Sequence, residues 1–450
     1  MSGTLRWVFD GVLTAADQKQ HVPLVFDVPP GTTRLVGTFA ASPRRATGAA
    51  FDNLVSLSVF GPKGARGARH NNPQMDFAID AYSATPGYVA GPIEPGRWMV
   101  FMDTFRVLGP DPYSYTLTVA AETGQVQPRA PYVPGTVASR GPGWYRGDLH
   151  AHTLHSDGSW QIADLVAWAR SRKLDFLTLS DHNTVSGHEE LHGFAGDDLL
   201  TIGGLELTTH AGHALSLGGS NWHEWRAGPV SGRTMPTLAG DVIASGSLFV
   251  IAHPLSPGDP ECTGCRWDYQ DMMPGPARIV EIWNGGPWSD YNEAGLALYR
   301  RWLAEGRRLV ATAGSDIHGP TEANAEIGFN NVDATELSEA AILAAVRAGR
   351  NYLSSGPRLN LEGVDRGGRP VPMGGEISAA GQVEVHWADV ADDLELRIVG
   401  AEGGIVETRA VGAGSTGKTL LEALPTPFVM AELRDAAGRL HAITNPIFVR

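Results

Sequence analysis

The chain has 450 residues and a formal net charge of −14 at pH 7, from 35 Lys and Arg against 49 Asp and Glu. That length excludes a single small domain and points to two or three, and that charge excludes a broad face for duplex nucleic acid, which needs clustered basic residues. No apolar run approaches the ~20 residues that cross a bilayer, and the first residues lack the basic-then-apolar pattern of a signal peptide, so a cytoplasmic protein with a small-molecule substrate and no membrane partner is expected, its oligomeric state open.

Residues 1–125 read as an all-β unit. Val55, Leu57 and Val59 alternate with Ser56 and Ser58, and Tyr115, Leu117 and Val119 alternate with Thr116 and Thr118. This period of two, broken by Gly and Pro, suggests a β-sandwich. Residues 126–143, with Pro128, Pro131, Pro134 and Pro142, read as a linker.

From 144 to 356 strands alternate with helices. Ile162, Leu165, Val166 and Ala169 share one helical face, with Ser159 as the expected N-cap. Further helices are expected at Met235–Ala244, Ala294–Glu305 and Glu336–Ala348. The expected strands are Trp144–Leu149, Leu174–Leu179, Leu200–Leu207, Ala214–Gly218, Leu248–Ala252, Arg278–Trp283 and Leu309–Ala313. Repeated strand–helix units argue for a parallel α/β barrel or open sheet. Thr208–Gly212 is too short for a parallel crossover, so the third and fourth strands are expected to be antiparallel. Residues 357–450 return to strand alternation, as in Val383, Val385 and Trp387, and predict a second, smaller β-sandwich.

The chemistry concentrates where the central strands end. Eleven of the fifteen histidines fall between His150 and His318. The first strand leads into His150 and His152, with Asp157 close behind. The second leads into Asp181 and His182, the third carries Glu206, the fifth leads into His253, the sixth into Asn284 and the seventh into Asp316 and His318; the turn after the third brings in His213. In a barrel these ends meet on one face. A single zinc takes about four ligands, so the ten candidates other than Asp181 imply two or three divalent ions, with Zn, Mn or Fe suiting mixed imidazole and carboxylate donors. A carboxylate such as Glu206 is placed to bridge two ions. The expected reaction is ester hydrolysis by a hydroxide held between the metals.

The order His150-x-His152 with Asp157, Ser180-Asp181-His182, Gly204-Leu205-Glu206, Gly212-His213, Ala252-His253-Pro254 and Gly314-Ser315-Asp316-x-His318 resembles the PHP (polymerase and histidinol phosphatase) superfamily over about 210 central residues. The resemblance implies a distorted (βα)7 barrel, here flanked by N-terminal and C-terminal β-sandwich domains. It assigns His150, His152, Glu206 and Asp316 to one ion, Glu206, His213 and His253 to a second, and Asp157, His182 and His318 to a third. Asn284 occupies a ligand position with a different side chain and is read as substrate-binding. The N-terminal β unit, the stretch from Cys262 to Trp267 and the tail from Thr444 to Ile447 resemble the carbaryl-hydrolase (CehA/McbA-type) branch, named for aryl carbamate cleavage.

Several residues carry narrower expectations. His155 is a candidate proton donor to the leaving group, with orientation of Asp157 as the alternative. Asp181 is placed with the catalytic residues and expected to orient a ligand. Arg146 and Arg266 are candidates for an anionic group, and Trp267, with the other tryptophans of these loops, for an aromatic wall. His188 and His210 are expected in exposed loops. Cys262 and Cys265, lacking a second pair, read as a structural loop, with a disulfide as an option. A metal-dependent phosphoesterase is the first expectation, an aryl carbamate or carboxylic ester hydrolase using the same centre the second, and a non-catalytic binding protein on a degenerate barrel the third. A phosphate needs added cations near the metals; an aryl ester needs apolar walls.

Overall fold

The computed structural model describes residues 4–422 and 424–450. Its N-terminal part consists of two four-stranded antiparallel sheets. One orders Leu5–Leu13, Tyr113–Glu122, Arg34–Ser42 and Phe77–Asp80; the other orders Gln20–Val28, Gly96–Arg106, Leu54–Gly61 and Gly64–Arg69. The alternating apolar residues meet between them: Leu35, Leu57, Val59, Trp98, Val100, Leu117 and Val119 are fully buried in one core. The alternation in the strand at 54–61 is not a division between core and solvent, however. Ser56 and Ser58 are buried as well, because the back of this sheet lies against the central part of the molecule. Residues 125–142 carry no helix or strand.

The central strands lie side by side in chain order: Gly143–Asp148, Phe176–Leu179, Leu200–Thr208, His213–Leu217, Leu248–Ile251, Ile279–Asn284 and Val310–Gly314. The third and fourth pair antiparallel, from Gly204 opposite Leu217 to Thr208 opposite His213. The fifth is antiparallel to the fourth, and the remaining neighbours are parallel. One strand therefore runs against six. A parallel bridge between Ala151 and Ile317 joins the ends of the first and seventh, helped by hydrogen bonds from His152 N to Ile317 O at 3.0 Å and from Asp316 N to His150 O at 2.8 Å.

Helices occupy only some of the connections. Ile162–Ser171, His188–Gly193, Met235–Ala244 and Asp290–Ala304 follow the first, second, fourth and sixth strands. The third needs none, being a tight antiparallel turn, and the fifth is followed by a long irregular loop with a single 3₁₀ turn at Gln270–Met272. The molecule is thus a mixed α/β fold richer in strands than seven uniform strand–helix units would make it. The first helix is capped by Gln161, not Ser159; Ser159 Oγ donates instead to the His318 carbonyl at 3.1 Å, so it ties the first and seventh strand ends together.

The C-terminal strands do not stand apart. Asn351–Ser354 pairs with Leu440–Thr444, so the central sheet continues through Phe428–Arg434 to Leu394–Val399 and Ile405–Val411. A second sheet, Pro370–Pro372, Arg358–Val364, Gln382–Ala388 and Gly417–Leu421, packs on it around Leu361, Val385 and Leu396. A boundary at 356/357 therefore cuts a continuous sheet, and Phe428, Met430 and Ile443 share a core with Leu207, Ile251 and Ile282. Among the described residues no helix is long and apolar enough to cross a membrane.

Candidate metal centre

The strand ends deliver their polar residues to one place. His150, His152, Glu206 and His213 are buried, and Asp157, His182, His253, Asp316 and His318 surround them. Their donor atoms form four overlapping groups, each spanning no more than 4.8 Å: His152, Asp157, His182 and His318; His150, His152 and Asp316; His150, Glu206 and His253; and His182, Glu206 and His213. His253 and Asp316 adopt positive φ values of 25° and 48°. Non-glycine residues rarely sit there, and such backbone clusters where a site demands a particular aim.

The pattern of hydrogen bonds shows which ring nitrogens are free. His150 Nδ1 lies 3.0 Å from Glu281 Oε1, His253 Nδ1 lies 3.2 Å from the Cys265 carbonyl, and His318 Nδ1 lies 2.7 Å from the Asp316 carbonyl. Each of these oxygens accepts, so Nδ1 carries the proton and the Nε2 lone pair faces the cavity. His253 Nε2 pairs with Glu206 Oε1 at 3.2 Å, whereas other Nε2 atoms approach carboxylates without pairing well. His150 Nε2 is 3.3 Å from both Glu206 Oε2 and Asp316 Oδ1, and His152 Nε2 is 2.9 Å from Asp316 Oδ1 and 3.4 Å from Glu206 Oε2. Yet His150 Nε2, both nitrogens of His152, Glu206 Oε2 and His213 Nε2 are buried with no aligned hydrogen-bond partner. Orphaned buried donors and acceptors are costly, and lone pairs that converge on shared space rather than on one another suit cations. The donor set, imidazole nitrogen with carboxylate oxygen, fits Zn, Mn or Fe.

Charges inside the cluster couple strongly. Burial opposes ionisation of Glu206, but His182, His150 and His213 hold its carboxyl well below the usual range. Burial likewise opposes ionisation of Asp316, and His150 and His152 lower it. Burial resists protonation of His318, yet Asp157 raises it to about 10. Burial and the neighbouring His182 and His318 push His152 down to about 4.

Not every expected residue reaches this centre. Asn284 does: its Nδ2 donates to Asp316 Oδ2 at 3.1 Å and to Glu281 Oε2 at 3.0 Å, so it steadies two carboxylates. Asp181 is turned away and accepts from Thr153 N at 2.8 Å, Thr153 Oγ1 at 2.7 Å and Ser156 Oγ at 2.6 Å. It fastens the 153–157 loop that presents Asp157, acting on that loop and not from the cavity, and burial lifts it to about 6. His155 bonds Ser186 Oγ at 2.8 Å and lines a separate cavity with Tyr82, Tyr132 and Glu190, so it neither orients Asp157 nor faces the cluster. Arg146 lies over the Phe329 ring at 4.5 Å and donates to the Arg172 carbonyl, on the helix-covered side of the sheet. Arg266 is exposed, and Trp267 is buried with its Nε1 donating to Met272 O at 2.8 Å. His188 is buried, its Nε2 2.7 Å from the Gly204 carbonyl, and His210 is largely buried and stacks on His21 with ring centroids 4.5 Å apart; neither is an exposed loop residue.

Three residues enter that spacing did not single out. Glu281 anchors His150 and accepts from His253 N at 3.1 Å; a carboxylate in the otherwise apolar, buried strand Ile279–Asn284 is its signal. His70 and Arg106 come from the N-terminal sheet. His70 is buried, with Nδ1 3.0 Å from Ser56 Oγ and its ring 4.7 Å from that of His182. Arg106 lines the metal cavity, a space of about 200 Å³, together with Leu54, His70 and Asn71. Cys262 and Cys265 form a disulfide and line the same cavity.

No family model matches the sequence, and a search of curated proteins finds no match. Among solved structures, the chain is similar to a two-domain protein from Bacteroides vulgatus containing a predicted PHP-like metal-dependent phosphoesterase, at 17% identity over 72% of this chain and 100% of that one, with a TM-score of 0.40. It is also similar to an amidohydrolase from Chromobacterium violaceum with bound sulfate and no metal, at 18% identity, covering 39% of this chain and 89% of that chain, with a TM-score of 0.29. A protein from Bifidobacterium adolescentis described as a metal-dependent phosphoesterase matches at 16% identity over 44% of this chain and 92% of its own, with a TM-score of 0.29.

Proposed function

We propose that the protein is a metal-dependent phosphoesterase built on a distorted (βα)7 barrel of the PHP type. The observation that carries the reading is the convergence of buried, unpaired imidazole and carboxylate atoms beside a single arginine. Divalent ions bound there lower the pKa of water and neutralise charge that develops on an ester oxygen. His150, His152, Glu206 and Asp316 would hold one ion, Glu206, His213 and His253 a second, and Asp157, His182 and His318 a third. Around them the chain positions rather than reacts. Glu281 keeps His150 in the tautomer that offers Nε2. Asn284 holds Asp316 from its other oxygen.

The choice between phosphate and aryl carbamate turns on the cavity wall. Among the described residues no tryptophan lines the cavity: Trp225, Trp267 and Trp283 are buried in the core, and Trp222 packs edge-on against Phe60. A guanidinium does line it, and guanidinium groups match phosphate oxygens. This supports the phosphoester reading. The test is release of 4-nitrophenol from 4-nitrophenyl phosphate and from the matched N-methylcarbamate, with Mn²⁺ or Zn²⁺ supplied. Faster phosphate cleavage is expected; faster carbamate cleavage overturns the reading.

A further inference from the structure

Arg106 stands between two cavities. One is the metal cavity. The other, about 310 Å³, lies in the N-terminal unit and is lined by Phe39, Met75 and Tyr113 on its apolar side and by Arg44, Asp52 and Asn72 on its polar side. Leu54, Asn71 and Arg106 line both, so the two spaces share a wall.

The guanidinium is placed by its backbone contacts. Nε donates to the Asp52 carbonyl at 2.7 Å, and Nη1 donates to the carbonyls of Pro260 at 2.8 Å and Glu261 at 3.0 Å. Among the described residues Nη2 has no partner. The nearest carboxylate on the wall, Asp52, is already shared by Arg44 at 2.7 Å and Arg45 at 2.6 Å. Arg106 is thus pinned on one side and keeps donor capacity at the junction.

We propose that Arg106 is a substrate-positioning residue contributed by the N-terminal unit, and that the substrate is a phosphodiester. This rests on the phosphoesterase reading above. A diester phosphate carries one negative charge and two substituents. One cation on the wall shared by two adjoining cavities matches that shape: the charged oxygen meets Arg106, the scissile side faces the metal centre, and the second substituent reaches over the shared wall toward the N-terminal cavity. Hydrolysis adds water across one P–O bond, the phosphorus gaining an oxygen and the departing alkoxide or phenoxide gaining a proton.

The test compares bis(4-nitrophenyl) phosphate with 4-nitrophenyl phosphate in the Mn²⁺-supplied protein, its Arg106→Gln and Arg106→Lys variants, and an Asp316→Asn background in which calorimetry reads binding of the diester without turnover. The diester is expected to be the better substrate. Arg106→Gln should raise its KM by about tenfold or more, the worth of a charged hydrogen bond, with a smaller change in kcat, and should weaken its binding in the Asp316→Asn background equally. Arg106→Lys should recover part of both, since it keeps the charge. If Lys is as poor as Gln, Arg106 acts only by fastening the loop at Pro260 and Glu261, and the proposal falls. It also falls if the monoester is preferred, or if Arg106→Gln changes neither KM nor binding while turnover persists; the phosphoesterase reading then stands. If neither ester is cleaved but diester binding still depends on Arg106, the phosphoesterase reading falls and the anchoring role stands. Should the Gln variant lose its native circular dichroism, the Lys variant carries the same comparison.

Discussion

The two walls of the metal cavity are built by different rules. On the central side most polar groups sit at or just past the point where a strand stops, and the strands themselves are largely apolar and buried. On the N-terminal side the polar groups sit along a sheet face: Ser56, Ser58, His70 and Asp103 are all buried. There they satisfy one another, as when Ser58 Oγ and His21 Nδ1 meet the two oxygens of Asp103 at 2.8 and 2.7 Å. The central wall leaves several of its inward-facing nitrogens and oxygens unpaired, and the sheet wall pairs nearly all of its own. Unpaired groups hold ligands; paired ones hold shape. Substitutions on the central side should therefore remove turnover, and those on the sheet side should change affinity or stability.

The largest effect is expected from Asp316→Asn, which removes the charged carboxylate beside His150 and His152. Turnover should fall by about three orders of magnitude, with lower bound-metal content by elemental analysis and an unchanged circular dichroism spectrum. Unchanged turnover would remove the proposed centre. Glu281→Gln comes next. It weakens the acceptor that fixes the His150 tautomer, and Mn²⁺ affinity by calorimetry should drop about 10–100-fold; an affinity equal to wild type would show that Glu281 is only a packing residue.

A smaller effect separates His155 from the centre. Burial holds its imidazole at about 4, below the ordinary 6.5. Between those values the unfolded chain binds a proton that the folded chain does not, so stability is present above 6.5 and is lost as pH falls toward 4. His155→Gln should flatten the decline in urea midpoint between pH 7 and pH 5 while turnover stays within a few-fold of wild type. A loss of turnover as large as that of Asp316→Asn would restore His155 to the reaction. The smallest effect is expected at Ser56→Ala, which leaves His70 Nδ1 without its partner and costs about 1–3 kcal/mol in urea unfolding.

The central wall was legible in the sequence because strand ends are short-range features. His150-x-His152, Asp181-His182 and Asp316-x-His318 each announce a turn from buried strand to loop, and the antiparallel pairing of Glu206 with the His213 turn follows from a loop too short to cross over. His155 was misplaced for the same reason: it lies beside His152 and Asp157 in sequence, but the 153–157 loop turns it toward Ser186. The sheet wall left no comparable mark. Alternation in the strand at 54–61 reports that two faces differ and is silent on whether the polar one meets water or protein. His70 and Arg106 become site residues only when that face docks, a contact between elements far apart in the chain. The tryptophans misled because large aromatic rings beside loops serve the core as readily as a pocket. The C-terminal strands were read as a separate sandwich because strand pairing between Asn351–Ser354 and Leu440–Thr444 has no local signature.

Asn445 carries a consequence for how the chain comes off the ribosome. Its side chain accepts from Ala311 N at 2.7 Å and donates to Ala311 O at 3.0 Å, across 134 residues, and it also bonds Asn351 O at 2.9 Å. The strand that delivers Asp316 thus has its buried backbone completed by a residue 134 positions further along the chain. N-terminal units ordinarily settle first during translation, so the N-terminal sandwich has time to form while this strand waits. A chain stopped before residue 445 would carry the N-terminal wall of the cavity and leave the strand before Asp316 without this partner.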